Sequence, residues 1–298
     1  MKIARIVVFC SPNDIALTEL CVASIRFWNK TTPLFLHKDE SQRKFSTTHL
    51  EENFNLRLCD SSNSSIGNPL SKLYYITRGA DLKSKGERIL ILDSDTVMFG
   101  DLVSELAECQ GDLAVSGIQD PSKEFTEKKY FSLDFFNQEE VTKTKPTFVF
   151  NTGHILLTTG VLSLDEFEHL IIQDEKGTTV KDGIQLWDQG LINYVVNKRI
   201  AENSIDIHGH NYFLWSKGQK NFANQKNAPF LIHWAGTTHP LEERMEHWKH
   251  VKRYRMYFLR QTGKPIISYV FKRAMIYTVH YLKQIRLVVL GKKQFIRL

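Results

Sequence analysis

The chain alternates between short, unbroken apolar runs and longer stretches whose apolar residues recur every three or four positions. Ile89 to Leu92 is a run of the first kind, and Met1 to Phe9 becomes one after a short basic start, the pattern of strands buried on both faces of a mainly parallel sheet. Ile15 to Asn29 is of the second kind, with Leu17, Leu20, Cys21, Ser24, Ile25 and Trp28 at helical spacing and Asp14 and Thr18 as start signals. The pattern continues with a strand at Pro33 to Leu36, a polar helix at Ser41 to Asn53, a short strand at Leu56 to Cys59, a Ser/Asn-rich loop from Asp60 to Asn68 and a helix from Ser71 to Ala80. Further strands are predicted at Leu113 to Ser116, at Thr147 to Thr158 and at Phe230 to Trp234, and a helix opens at Trp187 and runs to about Asn197. Gly153 interrupts the second of these strands, which marks a bulge or the close approach of another group to the backbone. Gln119 to Lys145 is polar but carries Phe125, Tyr130, Phe131, Phe135 and Phe136; it reads as a mobile loop over a site or as packed surface helices. Alternating strands and helices predict βαβ units and an α/β fold with a crevice beyond the carboxyl ends of its strands.

Composition narrows this picture. With 298 residues, 42% of them hydrophobic, the chain is long enough for a substantial core, which excludes disorder as the default. Cys10, Cys21, Cys59 and Cys109 are scattered without metal or redox spacing and lie in or beside apolar stretches, so they read as reduced core residues of a cytoplasmic protein. The apolar start breaks at Cys10-Ser-Pro-Asn-Asp with no small-residue cleavage site, so it is read as a strand. Of the 39 Lys and Arg residues, 13 lie between 247 and 298, where there is no Asp or Glu, leaving 26 bases against 33 acids before them. The first 246 residues therefore carry −7 and the last 52 carry +13. A basic tail on an acidic body points away from nucleic acid and toward a narrower partner. Ile266 to Leu290 is rich in apolar and aromatic residues, but Lys272, Arg273, Lys283 and Arg286 interrupt it. That excludes a spanning helix and fits an interfacial one on an anionic membrane; the alternative is a helix packed on the body with its basic face in water. The expected division is a catalytic domain over 1–248 and a membrane-associating tail over 249–298.

The most informative chemistry follows the buried run Ile89 to Leu92, where the chain turns abruptly acidic at Asp93-Ser94-Asp95. Alternation along an extended strand would point both carboxylates the same way. Two such groups at a buried strand end need a cation, a proton or a basic partner. A turn or helix cap is the plainer use of such a pair, and downstream residues decide between the two. Asp188, likewise, reads on its own as the N-terminal acid of its helix.

Those downstream residues occur in the order found in a known family. Lys72 in PLSKLYYI, Asp93-Ser94-Asp95, Asn151-Thr-Gly153, Asp188-Gln189 and His233-Trp-Ala-Gly236-Thr-Thr-His239-Pro240 resemble the landmarks of the retaining glycosyltransferases of family 8, a group with the GT-A fold that includes glycogenin and bacterial lipopolysaccharide galactosyltransferases. The resemblance spans about Ile3 to Pro240. It implies a Rossmann-like mixed sheet flanked by helices and a metal, Mn²⁺ or Mg²⁺, held by Asp93, Asp95 and His233. It also implies donor contacts from Lys72, Ser94, Asn151, Gly153, Gly236 and His239, with Asp188 and Gln189 under the anomeric centre. Oxygen ligands with one imidazole suit those metals better than zinc. Two positions depart from the family. Pro12-Asn13-Asp14-Ile15 stands where an acidic loop ending in Tyr stacks the nucleobase, and His239 replaces a Lys, so its full charge is present only below a pKa of about 6.5.

The expected activity is metal-dependent transfer of a hexosyl unit, with retention, from a nucleotide diphosphate sugar such as a UDP-sugar. The acceptor is a glycan or lipid-linked molecule, at the cytoplasmic face of a membrane, in lipopolysaccharide or capsule assembly. The alternatives are a sugar-nucleotide nucleotidyltransferase, against which the lack of a Gly-rich phosphate loop counts, and a catalytically degenerate membrane-bound glycan-binding protein.

Overall fold

A computed structural model describes residues 2–41, 43–59, 70–78, 86–119, 123–133, 148–174, 177–209, 213–215, 229–234 and 248–267, together with 275, 278, 279 and 282. The chain runs β1 (Ile3–Cys10), α1 (Ile15–Trp28), β2 (Leu34–Lys38), α2 (Thr48–Phe54), β3 (Leu56–Leu58), α3 (Ser71–Arg78), β4 (Arg88–Asp93) and β5 (Thr96–Phe99). There follow α4 (Leu102–Glu108), β6 (Leu113–Val115), β7 (Gly117–Gln119), α5 (Lys123–Lys129), β8 (Phe148–Phe150), β9 (His154–Thr158), α6 (Asp165–Glu168), β10 (Ile171–Asp174) and β11 (Gly177–Val180). The last elements bounded among the described residues are α7 (Asp188–Ala201), β12 (Ile207–Gly209), β13 (Phe213–Trp215), β14 (Phe230–His233) and α8 (Trp248–Gln261).

Among the described residues, seven strands form the main sheet in the order β12-β6-β9-β4-β1-β2-β3. β1 is parallel to both β2 and β4, while β9 runs antiparallel to β4 and β6. The unbroken apolar run of β4 has a direct reason. Leu90 and Leu92 enter one core with α1, β14 and α8, and Ile89 and Ile91 enter a second core with α3 and α7. Each of these four side chains is at most 1% exposed, a burial worth about 1.5–3 kcal/mol apiece.

Three differences from the sequence pattern bear on the site. The predicted strand over 147–158 is two strands in two sheets: β8 pairs with β7 in a separate two-stranded unit, and β9 joins the main sheet. The chain changes sheets at Asn151-Thr152-Gly153. The polar helix expected from Ser41 is shorter, starting at Thr48. The segment 123–133 packs: Tyr130 and Phe131 are buried, and the Phe131 ring meets Tyr194 of α7 edge-on at 5.7 Å.

At the other end of the chain, α8 lies against α1. Its Val251, Tyr254, Phe258 and Leu259 are buried in the first core, and Trp28 donates its indole N–H to the Tyr254 hydroxyl at 2.8 Å. The body of the fold thus continues through Gln261. Most of Ile266 to Leu290 lies outside the described residues, as do the loop 60–68 and the segment 134–147.

Candidate metal and donor site

β4 ends at Asp93, and the next two residues form a tight turn into β5. The two aspartates are therefore brought together by a turn, not by alternation along an extended strand. Asp93 N–H donates to the Gly153 carbonyl (2.7 Å), and the Asp95 carbonyl accepts from Trp234 N–H (3.0 Å). The second bond extends the antiparallel pairing of β5 with β14, in which His233 lies opposite Thr96. One potential ligand atom from each of Asp93, Asp95 and His233 lies within 4.8 Å of the others. Ser94 is buried in the turn.

Gly153 is required by what surrounds it. A Cβ there would stand 2.3 Å from His233 Cε1, 2.8 Å from Asp93 Oδ2 and 2.9 Å from Asn151 Oδ1. Asn151 holds this approach in place by accepting the Gly153 N–H on Oδ1 at 2.7 Å.

Lys72, on α3, reaches the site from the second core. Its Nζ lies 2.7 Å from Asp93 Oδ1 and 3.1 Å from Asp188 Oδ2, and it donates to the Thr152 carbonyl at 3.5 Å. Thr152 Oγ1 donates to the same Asp188 oxygen at 3.2 Å. Asp188 is the first residue of α7, so α3, α7 and the end of β4 are joined through one ammonium. Gln189 follows, half-buried, with its N–H on the Leu186 carbonyl at 3.0 Å.

The turn into α7 is strained. Leu186 and Trp187 are exposed and have φ of 53° and 49°, a region that non-glycine residues rarely adopt and that gathers at functional sites. Gly190 permits the tight seat of this turn, because a Cβ there would lie 2.3 Å from the Gln185 and Tyr130 carbonyl oxygens.

Electrostatics set the two metal-site acids apart. Burial raises the Asp93 pKa, and the neighbouring Asp95 charge adds to the rise against the pull of Lys72. Burial pushes Asp95 the same way, but His233 and Lys72 outweigh it and the pKa falls. Burial alone would lower His233, yet Asp95 and Asp93 hold it above its ordinary value. Lys72 behaves likewise: burial disfavours its charge, and Asp188 and Asp93 more than restore it. Behind His233, the fully buried His154 meets its ring edge-on at 5.9 Å and is kept neutral, first by burial and then by the positive neighbours His233 and Lys72.

The residues fit a divalent cation. Asp95 Oδ1 is buried and lies 3.0 Å from His233 Nε2. An imidazole nitrogen and a carboxylate oxygen at that separation, beside a second carboxylate and a notch where a side chain is missing, make an N,O donor set for Mn²⁺ or Mg²⁺ once the imidazole is neutral.

The structure brings together Lys72, Asp93, Ser94, Asp95, Asn151, Gly153, Asp188 and His233, with Gln189 following Asp188 in α7, while Gly236 and His239 lie outside the described residues. The residue pattern did not single out Thr152, His154, Asn193 or Asn197. Asn193 exchanges two hydrogen bonds with the Phe150 backbone (2.8 and 2.9 Å) and Asn197 donates to the Phe148 carbonyl at 2.7 Å. They fasten α7 to β8 as a neighbouring strand would. Their signal was present: two asparagines four apart, and so on one face, flanking the apolar Val195 and Val196.

Comparison with known proteins places these features. The family model described as "Glycosyl transferase family 8" matches residues 41–243. The chain is similar in fold to the apo structure of the bifunctional glycosyltransferase WbbM, with a TM-score of 0.58 and 17% identity over 91% of this chain and 52% of that one. It therefore spans about half the length of WbbM. It is also similar to the galactosyltransferase LgtC in complex with donor and acceptor sugar analogues (TM-score 0.52, 15% identity, 85% of this chain and 95% of that one). A third likeness is to the apo form of the glycosyltransferase GlyE of Streptococcus pneumoniae TIGR4 (0.50, 14% identity, 89% and 64%). No curated protein matches by sequence. The architecture is that of the GT-A fold.

Proposed function

The chain belongs to glycosyl transferase family 8 and is a glycosyltransferase, and from that premise we propose that it moves a hexosyl unit from a nucleotide diphosphate sugar, a UDP-sugar in the first instance, with retention at the anomeric carbon. The observation that carries this reading is the convergence of Asp93, Asp95 and His233, from distant parts of the sequence, within 4.8 Å. A divalent cation held there, Mn²⁺ or Mg²⁺, supplies Lewis-acid stabilisation of the departing diphosphate. The protein's own groups do the rest. Lys72 places a fixed positive charge beside the acids and holds Asp188 in register through Asp188 Oδ2. Asp188 then binds a sugar hydroxyl, and Gln189, next in the same helical turn, meets the reactive face as weak nucleophile or ion-pair stabiliser. Asn151 and Gly153 line the donor sugar, Ser94 sits between the metal acids, and Gly236 and His239 complete the diphosphate contacts.

The acceptor in this proposal is a glycan or lipid-linked molecule at the cytoplasmic face of a membrane, as in lipopolysaccharide or capsule assembly, and the basic tail holds the enzyme there. Exposed Ile266, Ile267, Met275, Val279 and Leu282, among the basic residues of that tail, support it; no helix among the described residues is long and apolar enough to cross a membrane. Incubation with a panel of sugar nucleotides, with Mn²⁺ and with chelator, tests the chemistry: one donor should be slowly hydrolysed in a metal-dependent manner. Release of no sugar from any donor would overturn it. Deleting residues 268–298, which lie beyond α8, should abolish binding to anionic vesicles; unchanged binding would remove the membrane role.

A further inference from the structure

Asp93 offers its two carboxylate oxygens to two different neighbours. Oδ1 lies 2.7 Å from the Lys72 ammonium. Oδ2 borders the notch at Gly153, where a Cβ would meet it and His233 Cε1 together. An ammonium has three N–H donors, and Lys72 faces three acceptors: Asp93, Asp188 and, more distantly, the Thr152 carbonyl. With its side chain only 12% exposed, the lysine is engaged by the protein before any ligand arrives. A divalent cation entering among Asp93, Asp95 and His233 would therefore meet a fixed positive charge already paired with one of the residues that would hold it. Like charges at such separation in a part-buried site repel strongly and are little screened by salt.

We propose that Lys72 is a resident counter-cation that holds down the affinity of the empty site for a divalent metal, so that the metal is taken up together with the donor's diphosphate. The inference rests on the reading of this site as one for metal and diphosphate, and it adds an opposite action on the two ligands: the lysine opposes the cation and favours the anion. When the diphosphate arrives, its negative charge offsets the repulsion between ammonium and metal, and uptake of the two becomes cooperative. A lysine that merely scaffolds Asp93 and Asp188 would act on both ligands in the same direction.

The test is titration of the full chain with Mn²⁺, followed by the electron paramagnetic resonance signal of free Mn²⁺, with and without UDP, at a mildly alkaline pH where protons compete little for carboxylates. Lys72→Met should bind Mn²⁺ alone about tenfold more tightly than the wild type, as removal of a nearby like charge requires, while its affinity for UDP in the presence of Mn²⁺ falls by about tenfold with the loss of a charge-assisted contact. Lys72→Arg should stay within about twofold of the wild type for Mn²⁺ alone because the charge remains. Lys72→Gln, which keeps an N–H for the carboxylates without the charge, should move as Lys72→Met does and serves if that variant does not fold. Weaker or unchanged Mn²⁺ binding in both neutral variants would overturn this inference alone. Failure of every protein, wild type included, to take up Mn²⁺ even with UDP would overturn the metal reading and this inference with it.

Discussion

Two clusters of charge are built into this molecule, and they are balanced in opposite ways. At Glu19 on α1, one carboxylate meets His49 Nε2 at 3.0 Å, Arg255 Nη1 at 2.6 Å and Lys264 Nζ at 3.3 Å. At the candidate metal and donor site three carboxylates, Asp93, Asp95 and Asp188, share one lysine and one imidazole. The first cluster is saturated: burial alone would raise Glu19, but His49, Arg255 and Lys264 bring its pKa from 4.5 to about 2. It joins α1, α2 and α8, and Arg255 adds a bond to the Ala16 carbonyl at 2.8 Å. The second is left short of positive charge, with its acids pushed apart in pKa and strained backbone at Leu186 and Trp187 beside it. A saturated cluster is a clamp; an unsaturated one retains capacity for a cation that the protein itself does not supply.

The contrast breaks most sharply at Asp95. Asp95→Asn should lower metal-dependent turnover by about 10³-fold, or ~4 kcal/mol of transition-state stabilisation, in a donor hydrolysis assay. The fold should stay intact with a modestly lower melting temperature, because His233 and Lys72 favour the Asp95 charge in the folded state. Turnover per folded molecule within a few-fold of the wild type would remove Asp95 from the proposed metal site.

Glu19→Gln should do the reverse, leaving activity per folded molecule unchanged and removing about 3 kcal/mol of stability at neutral pH, from the depressed pKa. Because the folded-state pKa lies below the ordinary one, this stability is fully present above 4.5 and is lost as pH falls toward about 2. Urea midpoints across that window should decline less steeply in the variant than in the wild type; parallel declines would deny the clamp its role.

A smaller effect tests the notch. Gly153→Ala places a methyl group where His233 Cε1 is 2.3 Å away, and Mn²⁺ affinity should fall by about tenfold, as for other changes that misplace a ligand without removing it. Unchanged affinity would show that His233 has room to move. The smallest concerns strain: Trp187→Gly relieves a left-handed φ and should raise stability in urea by about 1 kcal/mol, whereas a loss would place Trp187 among the supporting contacts.

Much of this architecture was legible in the residues because it is local. The apolar run of β4, the helical spacing of α1 and the acid pair at 93 and 95 are read from neighbours in sequence, and periodicity reports burial directly. The site was legible only as an ordered set of motifs. That Lys72 serves two acids at once, that Thr152 steadies Asp188, that His154 backs His233 and that the 147–158 run changes sheets are relations between segments many residues apart. Asn193 and Asn197 were visible as polar residues beside the apolar stretch of α7, but their partners, the backbone of Phe148 and Phe150, belong to β8, more than 40 residues away in sequence.

By itself, then, the order of residues determined the α/β alternation, the two-faced burial of the central strands and the kinds of chemistry available: oxygen and imidazole ligands for a hard cation, and amide and carboxylate groups for a sugar. Tertiary structure alone decided how the charges are distributed. Whether an aspartate is neutralised by the protein or left facing an open position depends on which cations the fold brings within about 3–4 Å, since at that range in a part-buried setting one charge more or less outweighs any local preference.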